Sequence, residues 1–370
     1  MPSPVPLSRV LPVDPSRFSP GCGSCSSPLV TQSTGSWLQV PVQRQPGPAS
    51  RRPWSSVIYW KQLRSVVPVG SGGFGSVYRA EYLGRTVALK KVKKVTKNRL
   101  ASWQSFWAEL NAAHLRHPNI VRVIAATTCV PVAHGEESSL GAVLMDFVGE
   151  RSLHHVVYGG WETLREARRL RFSAHMARGL AFLHAHRIVH LDLKPANVLV
   201  SAEDVCKLAD FGSSLKLGGD EERTLGLGHV GGTYTHRAPE LLRGLSVSPK
   251  ADVYSLGITL WQLTTRDPPY SGDRQHVLYA VVAHELRPAL DQHPDFRSER
   301  GVQWSRLLRR CWTGEARDRP GVTEVLEVVE QLMESVDEDG LEPGSGAPCG
   351  PLEHGPRPGS VSGASCGPQR

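Results

Sequence analysis

The periodicity of apolar residues changes partway along the chain, and this change constrains the fold more than any other feature. After about Tyr59 the chain carries short alternating runs such as SVYRAEY and RTVALKKV, which are rich in β-branched and aromatic residues and predict β-strands. From about Leu164 to Met333 the apolar residues instead recur at helical spacing. One of these stretches, KADVYSLGITLWQLTT, is apolar enough for a buried central helix. We therefore expect an α+β fold with a small β-rich lobe, a larger helical lobe and a ligand-binding cleft between them.

Two segments of different composition flank this region. Residues 1–56 and 337–370 are rich in Pro, Ser and Gly and show little periodicity. Such segments bury too little apolar surface to offset the entropy of ordering the chain. The sequence therefore predicts two disordered tails around one folded region at 57–336, which divides into a β-rich lobe at 57–148 and a helical lobe at 149–336.

Charge and apolar content argue against several classes of partner. The formal net charge of +8, from 43 basic and 35 acidic side chains, is moderate and spread along the chain, so it does not predict a nucleic-acid partner. No apolar run reaches the roughly 18 to 20 residues that span a bilayer, and the N-terminus lacks the apolar core of a signal peptide. The seven cysteines have no pairing rhythm, which is typical of a reducing compartment. We expect a monomeric cytoplasmic protein that binds neither nucleic acid nor membranes.

The stretch GSGGFGSV begins at Gly70 and has the spacing G-x-G-x-x-G. Glycines let a backbone hairpin approach phosphate oxygens closely. A dinucleotide-binding turn has the same glycine pattern, but in such a turn a helix follows the last glycine. In this chain the predicted strand SVYRAEY follows it. We therefore expect a hairpin that covers phosphate groups. The residues that we expect to contact the bound molecule in this hairpin are Val69, Gly70, Ser71, Gly72, Gly73, Phe74, Gly75, Ser76 and Val77.

A lysine and a glutamate form the second predicted feature. Lys90 ends the strand-like stretch VALK, from which its amine can reach phosphate oxygens. Glu109 lies on the apolar face of a predicted helix, and because a glutamate among apolar residues is rarely left unpaired, it is the candidate partner of Lys90. An exposed helix charge is the alternative interpretation of Glu109. The apolar face consists of Trp103, Phe106, Trp107, Leu110 and Ala113.

The stretch IVHLDLKPANVLV, which we call the catalytic loop, covers residues 188–200 and carries the third feature. Asp192 is placed to orient an attacking hydroxyl or to accept its proton, and Lys194 to neutralise charge on a transferring phosphoryl group. Asn197 offers an amide oxygen, and Asp210 in the later DFG stretch offers a carboxylate, both of which suit Mg²⁺. These residues predict a catalytic and metal site for phosphoryl transfer.

Four more residues are predicted to support this site. Glu240 in the APE stretch would carry a charge into a packed region, where Arg319 is the natural partner. Asp252 lies near the start of the apolar helix, where its carboxylate can accept from backbone amides of the catalytic loop. Thr233 can connect the segment before APE to the side chains of the catalytic loop.

In this order and with these gaps, the motifs closely resemble those of the eukaryotic protein kinase family, over about 275 of the 370 residues. The resemblance implies a bilobal fold, ATP and Mg²⁺ as cofactors, and transfer of the γ-phosphate to a hydroxyl of a protein substrate. A lysine two residues after the aspartate is the sequence pattern of the Ser/Thr-specific members. The resemblance assigns catalytic roles to Lys90, Glu109, Asp192 and Lys194, metal binding to Asn197 and Asp210, and contacts with the nucleotide also to Ala88, Lys90, Met145 (the gatekeeper) and Phe147.

Five longer stretches resemble one group within the family, the Ser/Thr kinases from oocytes. These stretches are GSGGFGSVYRAEY, TKNRLASWQSFWAELN, HLDLKPANVLVS, GGTYTHRAPELL and YSGDRQHVLYAVVAHELRP. This similarity implies that the protein substrate is a MAP kinase kinase, which makes the chain a MAP kinase kinase kinase, and it implies a role in meiotic maturation and metaphase II arrest.

Three alternatives remain open beside an active kinase of this group. They are a pseudokinase that serves as a scaffold, a Ser/Thr kinase of another pathway, and a small-molecule kinase. A pseudokinase usually lacks a catalytic or metal-binding residue, whereas the chain has all of Lys90, Glu109, Asp192, Asn197 and Asp210. The stretch GTYTHRAPE resembles a platform for a protein substrate, which argues against a small molecule.

The catalytic loop departs from the family pattern at Leu191. Most members have an arginine there, which binds a phosphate on the activation segment (residues 210–240). Because Leu191 has no donor for a phosphate, we expect it to add apolar packing beside His190 and Leu193, and we expect activity to depend little on phosphorylation of this segment. The hydroxyls concerned belong to Ser213, Ser214, Thr224 and Thr235.

Overall fold

The computed structural model describes most of the chain between the two predicted tails. The described residues are 55–72, 75–94, 99–131, 139–160, 164–218, 223–224 and 232–339. Gly73 and Phe74 lie outside them, as do nearly all residues of the predicted tails. The chain divides into two compact units. The first holds the described residues of 55–116 and 122–147, and the second holds those of 117–121 and 148–339.

The first unit is an antiparallel sheet of five strands with one helix. The strands are β1 (Leu63–Ser71), β2 (Gly75–Tyr82), β3 (Arg85–Lys93), β4 (Val123–Thr127) and β5 (Ser139–Asp146), in the order β1-β2-β3-β5-β4. The helix α1 (Arg99–Glu109) continues into a 3-10 turn at Leu110–Ala112.

A two-residue turn sets the register of the strand that carries Lys90. Leu83 and Gly84 connect β2 to β3 with φ angles of 52° and 74°. Two positive φ angles in succession are typical of a type I′ turn, whose twist matches that of the flanking strands. The resulting register places Val77 directly opposite Lys90.

The helix α1 packs on the sheet through a gap that a glycine leaves open. The ring of Phe106, which is 1% exposed, lies over Gly141 of β5, where a Cβ would come within 2.5 Å of that ring. Trp107 is 46% exposed, so its predicted place on the buried face is wrong. Each helical residue is turned by about 100° from the one before it, and the ring that follows Phe106 therefore leaves the stripe that faces the sheet.

The second unit is mainly helical. Its helices are α2 (Leu153–Tyr158), α3 (Glu166–Ala185), α4 (Pro239–Leu242), α5 (Lys250–Thr265), α6 (Arg274–Ala283), α7 (Glu299–Cys311) and α8 (Val322–Asp339). Its short strands are β6 (Ile188–Val189), β7 (Val198–Val200), β8 (Cys206–Leu208), β9 (Leu215–Lys216), β10 (Arg223–Thr224) and β11 (Ser246–Val247), and they pair as β6-β9, β7-β8 and β10-β11. The α+β prediction is confirmed.

The helix α5 is the centre of the second unit, since every residue from Ala251 to Thr265 is buried. The helix α7 approaches it closely at Gly257, where a Cβ would lie 2.7 Å from the Cβ of Cys311. The buried surface explains why the sequence of α5 is apolar on all sides. Within the described ranges, no helix is both long and apolar enough to cross a membrane.

Candidate active site

The predicted glycine hairpin joins β1 to β2. The amide of Gly72 donates to the carbonyl of Gly75 at 2.8 Å. A Cβ on Gly75 would lie 2.6 Å from the carbonyl oxygen of Lys91, so a side chain there would disrupt the pairing of β2 with β3. Gly70 and Gly72 have open space where a Cβ would be. Packing among the described residues does not account for these two glycines, and close approach of a ligand would.

The other residues predicted to contact the nucleotide lie on neighbouring strands. Val69 and Ser71 are on β1, Ser76 and Val77 on β2, Ala88 on β3 and Met145 on β5, and Phe147 follows β5. The hydroxyls of Ser71 and Ser76 are 3.1 Å apart, and Ala88 lies directly opposite Met145. The sheet therefore brings these residues together, except Gly73 and Phe74, which lie outside the described residues.

Lys90 and Glu109 form a buried ion pair. The Nζ atom of Lys90 donates to Oε1 of Glu109, and the two residues are 9% and 2% exposed. The last residue of α1 thus fixes the amine of β3, and the interpretation of Glu109 as an exposed helix charge is wrong. Removing one partner of such a buried pair leaves an uncompensated charge, which costs about 3–5 kcal/mol.

Side chains from two segments converge on Asp192. Its Oδ1 accepts from the backbone amide of Thr233 at 2.8 Å and from the hydroxyl of Thr233 at 3.0 Å. Its Oδ2 accepts from Nζ of Lys194 at 2.9 Å and from Nδ2 of Asn197 at 2.8 Å. Lys194 also donates to the hydroxyl of Thr233 at 2.5 Å. The catalytic loop and the end of the activation segment therefore hold this carboxylate in one orientation, as positioning of a reacting hydroxyl requires.

A buried carboxylate from α5 holds the backbone of the catalytic loop. Asp252 accepts from the amides of His190 and Leu191 at 2.8 Å each, and it pairs with Nε2 of His184 at 2.9 Å. Burial alone would raise the pKa of Asp252, but these hydrogen bonds and the neighbouring imidazoles hold it below its usual value. The charged carboxylate is thereby kept at the base of the loop.

The two predicted metal ligands lie at the same end of the β7-β8 hairpin. Asn197 directly precedes β7, Asp210 follows β8, and the amide of Ala209 donates to the carbonyl of Asn197 at 2.9 Å. Nδ2 of Asn197 donates to the backbone and to the side chain of Asp192, and its Oδ1 accepts no hydrogen bond from the described residues. One carboxylate with one amide oxygen fits Mg²⁺, which takes few protein ligands besides phosphate oxygens and water. The described residues hold no cluster of three His, Cys, Asp or Glu that would suit a metal fixed by protein alone.

The end of the activation segment is fixed by a second buried ion pair. The guanidinium of Arg319 donates to both oxygens of Glu240 at 2.7 Å. It also donates to the carbonyls of Thr313, Lys250 and Gly314 at 2.9 to 3.1 Å. The bidentate pair is fully hydrogen-bonded, which is the condition under which a buried charge is tolerated.

Leu191 packs in an apolar cluster that includes the activation segment. Its backbone has a φ of 64°, a left-handed conformation that costs a non-glycine residue about 1–2 kcal/mol. Its side chain contacts what we call the activation-segment cluster, which consists of Val189, Leu215, Leu217, Leu241 and Val247. The predicted apolar packing is present, with different neighbours from the predicted ones. The ring of His190 lies instead against Phe211, at 5.0 Å between centroids.

The hydroxyls of the activation segment differ in their surroundings. Ser214 is buried, and the hydroxyl of Thr235 is 2.9 Å from Nδ1 of His236. Burial lowers the pKa of His236 to about 4, against the opposing effect of a hydrogen bond with Gln262. Thr235 thus contacts a neutral imidazole and has a structural role. The side chain of Thr224 lies outside the described residues.

Two features of the site have no signal in the sequence. His184 on α3 pairs with Asp252 from a position that no local motif marks. Gly232 has a φ of 100°, and a Cβ there would lie 2.8 Å from the carbonyl oxygen of Leu191. Only the arrangement of segments that are distant in sequence reveals these roles.

Comparison with known proteins agrees with this geometry. A family model described as a protein kinase domain matches residues 63–329. A serine/threonine-protein kinase mos of Xenopus laevis is 48% identical over 351 residues, which are 90% of this chain and 93% of the relative. The proto-oncogene serine/threonine-protein kinase mos of Sus scrofa is 49% identical over 339 residues, or 86% of this chain and 95% of the relative. The kinase mos of Gallus gallus is 45% identical and is covered over its full length.

The family match covers the catalytic loop, both buried ion pairs and the hairpin that carries the glycines. The chain therefore belongs to the protein kinase family and is a Mos-like serine/threonine protein kinase.

Proposed function

We propose that the kinase phosphorylates MAP kinase kinase in the oocyte cytoplasm and so acts as a MAP kinase kinase kinase in meiotic maturation and metaphase II arrest. The observation that carries this proposal is the similarity to several mos kinases at 45–49% identity over most of both chains. The stretch GGTYTHRAPELL, which is similar to the oocyte group, covers the end of the activation segment, where a protein substrate would be recognised.

We also propose roles for the site residues. In the first unit, the glycine hairpin and Lys90 would bind the phosphates of ATP, with Glu109 holding the lysine in place. In the second unit, Asn197 and Asp210 would bind Mg²⁺, which neutralises charge on the phosphates when bound. Asp192 would orient the substrate hydroxyl and accept its proton.

The contacts of Lys194 support its proposed role, which is to neutralise negative charge on the phosphoryl group during transfer. Its amine is held between Asp192 and the hydroxyl of Thr233. An ammonium group fixed there needs no rearrangement when negative charge develops, which is the condition for electrostatic stabilisation of a transition state.

The test is phosphorylation of purified MAP kinase kinase by the full chain with ATP and Mg²⁺. We expect phosphate on Ser or Thr of the substrate, identified by mass spectrometry. The Asp192→Asn variant should lower kcat by about 10²–10⁴, as removal of a general base does. A chain that phosphorylates generic Ser/Thr peptides but leaves MAP kinase kinase unmodified would place the kinase in another pathway. Full activity of Asp192→Asn would overturn the proposed role of that residue.

A further inference from the structure

Two arginines near the end of the activation segment have no hydrogen-bond or ion-pair partner within the described ranges. Arg237 precedes the APE stretch and Arg274 begins α6, and neither guanidinium makes a hydrogen bond or an ion pair there. The Nε atom of Arg237 is buried without an acceptor. A buried donor without a partner costs about 1–3 kcal/mol, and more when the group is charged. A site that retains such a group needs an explanation in terms of a ligand or a nearby charge.

The position of Arg237 ties it to the reacting group. A Cβ on Gly232 would lie 3.3 Å from Nη2 of Arg237 and 3.6 Å from Oδ1 of Asp192, so both atoms border the same small space. Burial lowers the pKa of Arg237, the charge of Arg274 acts in the same direction, and that of Asp192 opposes it. The guanidinium nevertheless stays charged, because an arginine does not deprotonate in a protein.

Arg274 lies against an aromatic ring at the end of the activation segment. Its guanidinium carbon is 5.3 Å from the ring centroid of Tyr234, and its charge acts on Arg237. Such a contact stabilises an exposed cation by about 0.5–1 kcal/mol. The N–H groups of Arg274 make no hydrogen bond within the described residues, so they can donate to a planar anion.

From these contacts we infer that Arg237 and Arg274 form an anion site that recognises an acidic or phosphorylated side chain of the protein substrate, next to the hydroxyl that receives the phosphate. Two neighbouring guanidiniums, one of which lies against an aromatic ring, suit a carboxylate or a phosphate. The inference rests on the proposed phosphoryl transfer at Asp192. The competing interpretation is that Arg237 only balances the charge of Asp192, in which case substrate charge would not matter.

The experiment compares synthetic serine peptides that differ only beside the acceptor, with Asn, Asp or phosphoserine within two residues of it. With the full chain, we expect kcat/KM to be about 10 to 100 times higher for Asp than for Asn, as one or two charge-assisted hydrogen bonds provide. The preference should weaken with added salt. A larger ratio for phosphoserine than for Asp would identify phosphate as the better ligand.

The variants Arg237→Met and Arg274→Met should each lower this ratio at least about fivefold. Arg317→Met is the matched control and should keep the ratio, because Arg317 is exposed and its one ion pair with a described residue is with its neighbour Asp318. If Arg237→Met does not fold, Arg274→Met still tests the anion site, because Arg274 is exposed. An equal kcat/KM for Asp and Asn peptides in the unmodified chain would overturn the inference.

Two measurements separate this inference from the proposed function. Binding of peptides with Ala in place of the acceptor serine reports the acid preference without turnover. An intact preference in a chain that transfers no phosphate would support the anion site and count against the proposed function. If instead the preference appears only after the acidic residues Asp220, Glu221 and Glu222 are replaced by amides, the arginines bind the chain's own activation segment, and the inference fails.

Discussion

Replacing Leu191 by alanine tests whether apolar packing orders the activation segment. The side chain of Leu191 packs against a buried cluster that contains Leu217 of that segment and Val189 of the catalytic loop. Alanine removes the packing but has a Cβ, so the penalty for the left-handed backbone is the same in both proteins. The substitution therefore isolates the contribution of the side chain.

The magnitude follows from the burial of the side chain. A fully buried leucine that is replaced by alanine costs about 2–5 kcal/mol. Leu191 is half-buried, so a loss of about 1–2 kcal/mol is expected from the smaller apolar area removed from water. A loss of this size shifts an order–disorder equilibrium about 5- to 30-fold.

Hydrogen exchange at β9 is the direct assay. This strand pairs with β6, and the amide of Leu217 donates to the carbonyl of Arg187 at 2.8 Å. We expect Leu191→Ala to accelerate exchange of these amides about 5- to 30-fold, in proportion to the opening equilibrium, and to lower kcat by no more than that factor. Leu286→Ala, at an exposed leucine outside the activation-segment cluster, is the control and should leave β9 unchanged.

Two outcomes would refute the reasoning. If exchange at β9 and kcat both stay at the level of the unmodified chain, the cluster does not hold the segment. If kcat falls while exchange at β9 is unchanged, Leu191 acts on the catalytic loop alone.

Three further predictions concern the same region. Replacing Ser213 and Thr224 together by alanine should leave kcat within about twofold, because Leu191 offers no donor for a phosphate; a loss of nearly all activity in a substrate phosphorylation assay would contradict this. Glu240→Gln should lower the free energy of unfolding by about 3–5 kcal/mol, since it leaves the charge of Arg319 buried without its partner, and a urea titration that shows less than about 1 kcal/mol would contradict the buried pair. His236 should make the fold less stable by up to about 2 kcal/mol when the pH is lowered from 7 to 5, because the unfolded residue gains a proton below its usual pKa while the folded residue stays neutral down to a pKa of about 4. Urea titrations at the two pH values should show a loss that is smaller by this amount in His236→Gln.

The sequence predicted the parts of the site that depend on short motifs. A strand pattern and a helix pattern predict the pair of Lys90 and Glu109, and the structure contains this pair. The position of Asp252 at the start of an apolar helix predicts its contact with the catalytic loop, and it accepts from two amides of that loop. The sequence likewise predicts the contact of Thr233 with the catalytic loop, which the structure contains. In each case the residue type limits which partners the side chain can bind, and its position in a helix or strand limits the direction in which the side chain points.

The remaining features depend on packing that no local pattern encodes. Trp107 has the spacing of a buried residue, but the gap over Gly141 admits only the ring of Phe106. The neighbours of Leu191 come from a strand, a helix and the activation segment, which lie up to several tens of residues away. Arg237 and Arg274 meet only because α6 returns to the end of that segment. Periodicity identifies a buried face but does not name the residue on the other side of it.

The catalytic loop holds one residue in a strained backbone conformation. Leu191 has a left-handed backbone, and residues in such a conformation persist only when their surroundings fix them. Asp252 fixes its amide, the activation-segment cluster holds its side chain, and a Cβ on Gly232 would clash with its carbonyl oxygen. In kinases with an arginine at this position, a phosphate adds a further charge contact between loop and segment. Here apolar and carboxylate contacts of the folded chain itself hold the loop, and we therefore predict that its ordering depends on folding and needs no modification of the activation segment.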